Sequence, residues 1–303
     1  MLEVITNTLP VFIAIALGKI FAYKKILPKD AENTISTITF TIIGPFFVFD
    51  VLYGVSINAD NFHLVLSPLV VFISMLILSY MFGKLVLRLD PKKLGAMILG
   101  LITFGAGAVY PFVTRNFSDE VFTDFVVADL VSFLIFLTMG SIVAVYLGKK
   151  RDYKVKDLIL DLLKDPFVLT ILLTFTLTLT GVKVPGVITE TAKFFSGSFL
   201  LLASLFVGMT LRFPDWKNFT RLVVIYIFRI GVVLGLVCVI SRFFGLSNEE
   251  SIPLYLIFLA QYSVLSVVFA KKQGLDHEFA SQMVLFSTII QLFLYPVLVG
   301  ILQ

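Results

Sequence analysis

Apolar residues in this chain fall into ten long runs, each close to the roughly 20 residues that an α-helix needs to cross a ~30 Å hydrocarbon slab. Strict apolar–polar alternation is absent from these runs, so a transmembrane β-barrel is not expected. The runs predict helical spans over 3–23, 32–55, 63–88, 94–113, 121–147, 166–183, 188–211, 219–244, 250–270 and 277–301. The expected fold class is therefore an all-α membrane protein with ten transmembrane helices.

The ten runs divide into two sets of five that resemble each other. The segment LVVFISMLILSYMFGKLV from Leu69 has a counterpart in LVVIYIFRIGVVLGLVCV from Leu222, 153 residues later. DEVFTDFVVADLVSFL from Asp119 pairs with DHEFASQMVLFSTIIQ from Asp276, an offset of 157. A period near 150 is too long for a solenoid module and suits a duplicated membrane domain. The halves are placed at 1–147 and 166–303, joined by a basic linker at 148–165.

Composition agrees with a lipid solvent. Hydrophobic residues make up 58% of the 303 positions, charged residues 15%, and the mean hydropathy is +1.00. A soluble domain of this composition would expose far too much apolar surface. The sequence pI of 9.0 does not imply nucleic acid, because of where the basic residues fall. With the N-terminus outside, 19 Lys and Arg lie on the inner side, four on the outer side and Arg229 within a span. That bias predicts both termini outside and linker 148–165 in the cytoplasm, in a multi-pass protein of the plasma membrane. With five spans per half, the second repeat is inverted relative to the first.

The first run lacks a basic leader and a small-residue cleavage site, so it is expected to be a retained helix. Cys238 is the sole cysteine, which excludes an internal disulfide. Within the linker, Val155, Leu158, Ile159, Leu162 and Leu163 suit an amphipathic surface helix. His63 and His277 fall in loops on opposite faces and suggest no metal site. Cofactor-binding loops and nucleophile–base sets are missing, so an enzyme is not expected.

Span four carries the strongest local signal. It holds Gly95, Gly100, Gly105 and Gly107, then Tyr110 and Pro111. Glycine weakens a helix interior and proline removes a backbone donor, so a break is expected there. The same glycines would also suit close helix packing. Broken helices at matching places in two repeats point to a transport site near the midplane. Span nine is the partner and clusters Gln261, Tyr262, Ser263 and Ser266, which would serve either substrate or interhelical bonds. Thr103, Gly105, Gly107, Tyr110, Pro111, Gln261, Tyr262, Ser263 and Ser266 are thus the candidate substrate-binding residues. Gly44 and Pro45 mark an interruption or kink in span two.

Asp129 and Arg229 are ionisable residues placed ~12–15 Å into the apolar core by the ~1.5 Å rise per residue. Charges at such depth need a partner or a watery cavity. They are read as an ion pair, as groups for proton coupling and anion attraction, or as side chains that snorkel towards the membrane surface. Asp50 lies near the outer end of span two, within reach of headgroups.

Taken in order, several segments resemble the auxin efflux carrier family in its short prokaryotic form. LPVFIAIALGKIFAYKKILP from Leu9 is similar to its first span and basic turn, and FTIIGPFFVFDVL from Phe40 to its second. DPFVLTILLTFTLTLTGVKVPGVI resembles the start of its second half, and VVFAKKQGLDHEFASQMVLFSTIIQLFLYPVLVGIL from Val267 its last helix pair. The resemblance implies a ten-helix carrier of small organic anions such as dicarboxylates or auxin-like weak acids, with crossing broken helices at spans four and nine. It also implies a homodimer and a fold similar to bile acid/sodium symporters. The chain departs from the family where the crossing lies. An Asn-Thr-Gly-like stretch is replaced by Thr103 to Ala108, and the span-nine prolines by Gln261, Tyr262, Ser263 and Leu265. The expected function is secondary active transport of a small organic anion by alternating access, with proton or sodium coupling. The alternatives are a sensor or scaffold that keeps the carrier fold, or a sodium-coupled carrier like the bile-acid symporters.

Overall fold

The computed structural model describes residues 2–28, 30–53, 62–106, 109–148, 160, 164, 166–210 and 218–302. The linker at 148–165, with its predicted amphipathic helix, lies almost wholly outside the described residues. Every regular element among the described residues is helical: α1 (Leu2–Tyr23), α2 (Ala31–Leu52), α3 (Phe62–Val86), α4 (Pro91–Leu101), α5 (Tyr110–Asn116) and α6 (Asp119–Leu147). They continue with α7 (Pro166–Thr180), α8 (Gly186–Thr210), α9 (Phe219–Phe244), α10 (Asn248–Phe258), α11 (Val264–Lys272) and α12 (His277–Leu302). Four of them, α2, α3, α6 and α9, are long and apolar enough to cross a bilayer, or five if bent α12 counts as one span. The protein is an all-α integral membrane protein.

Helix ends follow local chemistry. Asp90 accepts hydrogen bonds from the backbone N–H groups of Lys92 and Lys93 at 3.1 and 3.2 Å, and Pro91 opens α4. Ser118 caps α6 by accepting from the Val121 amide at 3.3 Å. Ser247 and Glu250 form a reciprocal capping box at the start of α10. Gly245, at φ +66°, stops α9 in the left-handed conformation that glycine adopts without a Cβ penalty.

Two proline signals resolve differently from one another. Gly44 and Pro45 do not interrupt span two, because α2 runs on through them. The turns before them, Thr37–Ile43, are widened to π geometry, and the Gly44 amide reaches back five residues to the Thr39 carbonyl. A wide turn absorbs the missing N–H of Pro45 without a break. In α12 the helix bends by 49° between His277–Gln291 and Phe293–Leu302, four residues ahead of Pro296. That is where a proline ring strikes the preceding turn. His63 is a second correction, since it lies buried in the first turn of α3 rather than in a loop, and His277 opens α12.

Helices α1, α2, α7 and α8 pack into one group, through α1 on α8 and α2 on both α7 and α8. The remaining helices form a second group in which α6 packs on α3 and α10, while α12 packs on α4 and α11. The groups meet where α1 touches α5 and α12, and where α2 touches α6. Within the first group α1 and α8 approach until their backbones touch. A Cβ added at Gly18 would collide with the Leu205 carbonyl, and one at Gly208 with that of Ile15. Small residues at such a crossing replace the hydrophobic drive that lipid removes. Phe47 carries the contact outward, stacking on Phe199 of α8 at 4.3 Å and meeting Tyr110 of α5 edge-on at 5.1 Å.

Candidate functional site

Two helices are broken, and their breaks touch. The first break follows α4, where the Thr103 hydroxyl donates to the carbonyls of Leu99 and Gly100 at 2.9 and 3.1 Å. The chain then turns irregularly, and the Gly105 amide donates to the Gln261 carbonyl of the second break at 2.7 Å. A Cβ on Gly105 would lie 2.9 Å from Gln261 Cγ and 3.2 Å from the carbonyl oxygens of Gln261 and Tyr262. Glycine is needed here because two backbones meet. Tyr110 then opens α5, with Pro111 in its first turn where no amide donor is required.

The second break follows α10, and its freed carbonyls can be accounted for one by one. Tyr255 O takes the Leu259 amide and Ile257 O takes the Ala260 amide, both at 3.1 Å. Leu256 O accepts from the Tyr295 hydroxyl. Phe258 O and Ala260 O both accept from Nη2 of Arg229, at 3.4 and 2.5 Å. Ser263 then caps α11 by accepting from the Leu265 amide at 3.3 Å, and the Ser266 hydroxyl donates back to Ser263 O at 2.7 Å. The Tyr262 amide donates to the Ser287 hydroxyl of α12 at 3.0 Å.

Arg229 of α9 is the centre of this region and is only 2% exposed. Its guanidinium carbon lies 4.5 Å from the Tyr262 ring centre and 5.2 Å from that of Phe104, which flanks the first break. Aromatic faces of this kind stabilise a desolvated cation. Two guanidinium nitrogens, Nε and Nη1, have no hydrogen-bond partner. The Tyr262 hydroxyl is also buried without a hydrogen-bond partner. Tyr226, one turn before Arg229, stands edge-on to Tyr262 at 6.3 Å and donates weakly to Gln291 Oε1 at 3.4 Å. The Gln291 amide nitrogen is likewise buried without an acceptor. Buried donors thus outnumber acceptors around a fixed positive charge.

Asp129 lies elsewhere. Its Oδ2 accepts from the Tyr110 hydroxyl at 2.7 Å. The expected ion pair between Asp129 and Arg229 is not formed, because each is bonded to a different break. Tyr110 is buried, and its ring meets Phe122 and Phe125 of α6 edge-on at 5.9 and 5.3 Å, besides Phe47. The Tyr110–Asp129 bond therefore stands where the two helix groups meet.

Of the predicted site residues, Thr103, Gly105, Gln261, Tyr262, Ser263 and Ser266 come together at the crossing. Thr103, Ser263 and Ser266 spend their hydroxyls on backbone caps. Tyr110 and Pro111 begin α5, and Gly107 lies outside the described residues. Tyr226, Gln291 and Ser287 are not marked as candidates by the sequence pattern, and Phe104 falls in the altered span-four run without being a candidate. A signal existed for part of this set, because Ser287, Gln291 and Tyr295 recur every four residues along α12 and so share one face.

No protein-family profile matches the chain. It is 25% identical over 240 residues to a Methanocaldococcus jannaschii protein described as an uncharacterized transporter. The match covers 77% of this chain and 73% of that protein.

Proposed function

We propose that the protein is a secondary transporter that moves a small organic anion across the membrane through the crossing of its two broken helices. The carrying observation is the buried Arg229 guanidinium packed on Tyr262, whose Nε and Nη1 lack hydrogen-bond partners, with a further unpartnered donor, the Gln291 amide, against the neighbouring Tyr226. An excess of buried donors is costly until an acceptor arrives, and a carboxylate supplies both acceptors and the opposite charge. The similarity to an uncharacterized transporter supports the carrier reading.

The packing pattern supports ten spans in two inverted repeats of the auxin efflux carrier type. Exchanging α1–α6 with α7–α12 in order carries the pair α1–α8 onto α7–α2, and α6–α10 onto α12–α4. It also carries α3–α4 onto α9–α10, and α5–α6 onto α11–α12. Duplicated halves would then place the two breaks at equivalent positions, as alternating-access carriers do. On this reading α1, α2, α7 and α8 rock against the other group, with Tyr110 at the seam. Both termini lie outside, linker 148–165 is cytoplasmic, and the protein works as a homodimer in the plasma membrane.

The test is thermal unfolding of the detergent-purified protein against a panel of mono- and dicarboxylates. Ligand at a hundredfold above its Kd adds about 2.7 kcal/mol to stability, enough for a clear shift. Carboxylates are expected to raise the Tm saturably, and less in Gln291→Leu. A panel without any shift in the wild-type protein would contradict the proposal.

A further inference from the structure

The carbonyl end of α10 raises a separate question from the anion. A half-helix that stops inside a membrane presents unpaired carbonyls and the negative end of its dipole. In broken-helix carriers such ends are where a soluble sodium ion or proton is held. Here two of these oxygens, those of Phe258 and Ala260, converge on a single nitrogen, Nη2 of Arg229. Phe104 and Tyr262 cover the guanidinium faces, and Phe258 packs edge-on against Phe104 at 5.2 Å. The corresponding end of α4 is treated differently, because a neutral hydroxyl, that of Thr103, takes the carbonyls of Leu99 and Gly100. The two breaks are therefore unequal in charge, and the positive charge belongs to the chain.

We propose that Arg229 is a tethered cation that fills the carbonyl site a soluble alkali ion would occupy at the α10 break, so that the crossing binds no sodium. For transport this rests on the carrier reading above and means that anion movement is not driven by sodium bound at this position. The occupied carbonyls also explain how a full positive charge stays buried without a carboxylate partner. One nitrogen binds the protein, and the other two are left without a partner for an anion to meet.

The experiment compares the Tm of the purified protein in chloride salts of sodium, potassium and N-methyl-D-glucamine at equal ionic strength. The wild type is expected to unfold at the same temperature in all three. Arg229→Met, which keeps an unbranched apolar stem but ends two atoms short of Nη2 and removes the charge, is expected to unfold at a lower temperature. Its Tm is expected to rise with added sodium or methylguanidinium, which enter the vacated carbonyl site. A saturable, sodium-specific rise in the wild type overturns the proposal. So does an Arg229→Met protein that is as stable as the wild type, or one that responds to neither cation. Should that variant not fold, the wild-type salt series still decides. The cation response is read without any carboxylate, with chloride common to every salt, so a failure to find a transported organic anion leaves this result standing separately.

Discussion

Gly105 is where a single methyl group should do the most damage. Its missing Cβ is the space in which the two breaks touch, with backbone oxygens at 3.2 Å on the far side. Backbone yields less readily than the end of a side chain, so Gly105→Ala should destabilise the protein by about 1–3 kcal/mol, read from thermal unfolding in detergent. Tyr110→Phe is a gentler change. It keeps the edge-on contacts with Phe47, Phe122 and Phe125 but removes the donor to Asp129. Loss of a hydrogen bond to an acidic group is expected to cost about 1.5–3 kcal/mol if the carboxylate is charged. Asp129→Asn in the same background should then add little, and a full second loss would show that the bond is not shared. Part of this chemistry could be read in the chain. The glycine run before Pro111 marks the first break, and Gln261 to Ser266 mark the second. The partner of Arg229 could not be read, because residue counting gives depth along a helix and not the direction a side chain faces. At matched depth Asp129 looked like its counter-ion, yet carbonyls freed by a break served instead.

Among whole helices, the tightest constraint falls on α1 and α8. Gly18 and Gly208 each face a backbone carbonyl of the other helix, so there is no flexible side chain to move aside. Gly208→Leu should separate the pair and sharply reduce the yield of folded, monodisperse protein, while Gly197→Leu on the same helix, with open space around it, should not. Equal yields from the two variants would contradict this account of the crossing. Prolines illustrate why helix existence was legible and helix shape was not. Pro111 helps to start α5, Pro45 is absorbed by a π segment, and Pro296 bends α12. The residue type is the same at all three. What differs is whether neighbouring turns can widen, glycines can release the chain, or the preceding carbonyl is simply pushed aside.

Across the whole molecule, the apolar runs disclosed an all-α membrane protein, and the doubled pattern disclosed where two breaks should meet. The unequal chemistry of the breaks was visible as composition, glycines and Pro111 against a Gln-Tyr-Ser cluster, but its meaning needed α9 and α12 in place. Arg229 and Gln291 stand far from both breaks in the chain, and folding alone brings them together with Tyr262 through Tyr226. The resulting arrangement has four helices that pack mainly with one another, a second group holding the crossing, and a seam at Tyr110. The proposed mechanism requires such a molecule to expose one buried, positively charged site to either side in turn. Uptake of labelled mono- and dicarboxylates into proteoliposomes tests that claim most directly. Wild-type vesicles are predicted to accumulate at least one of these anions above protein-free vesicles, with the rate reduced in Gln291→Leu. Folded wild-type protein that moves none of them would contradict it.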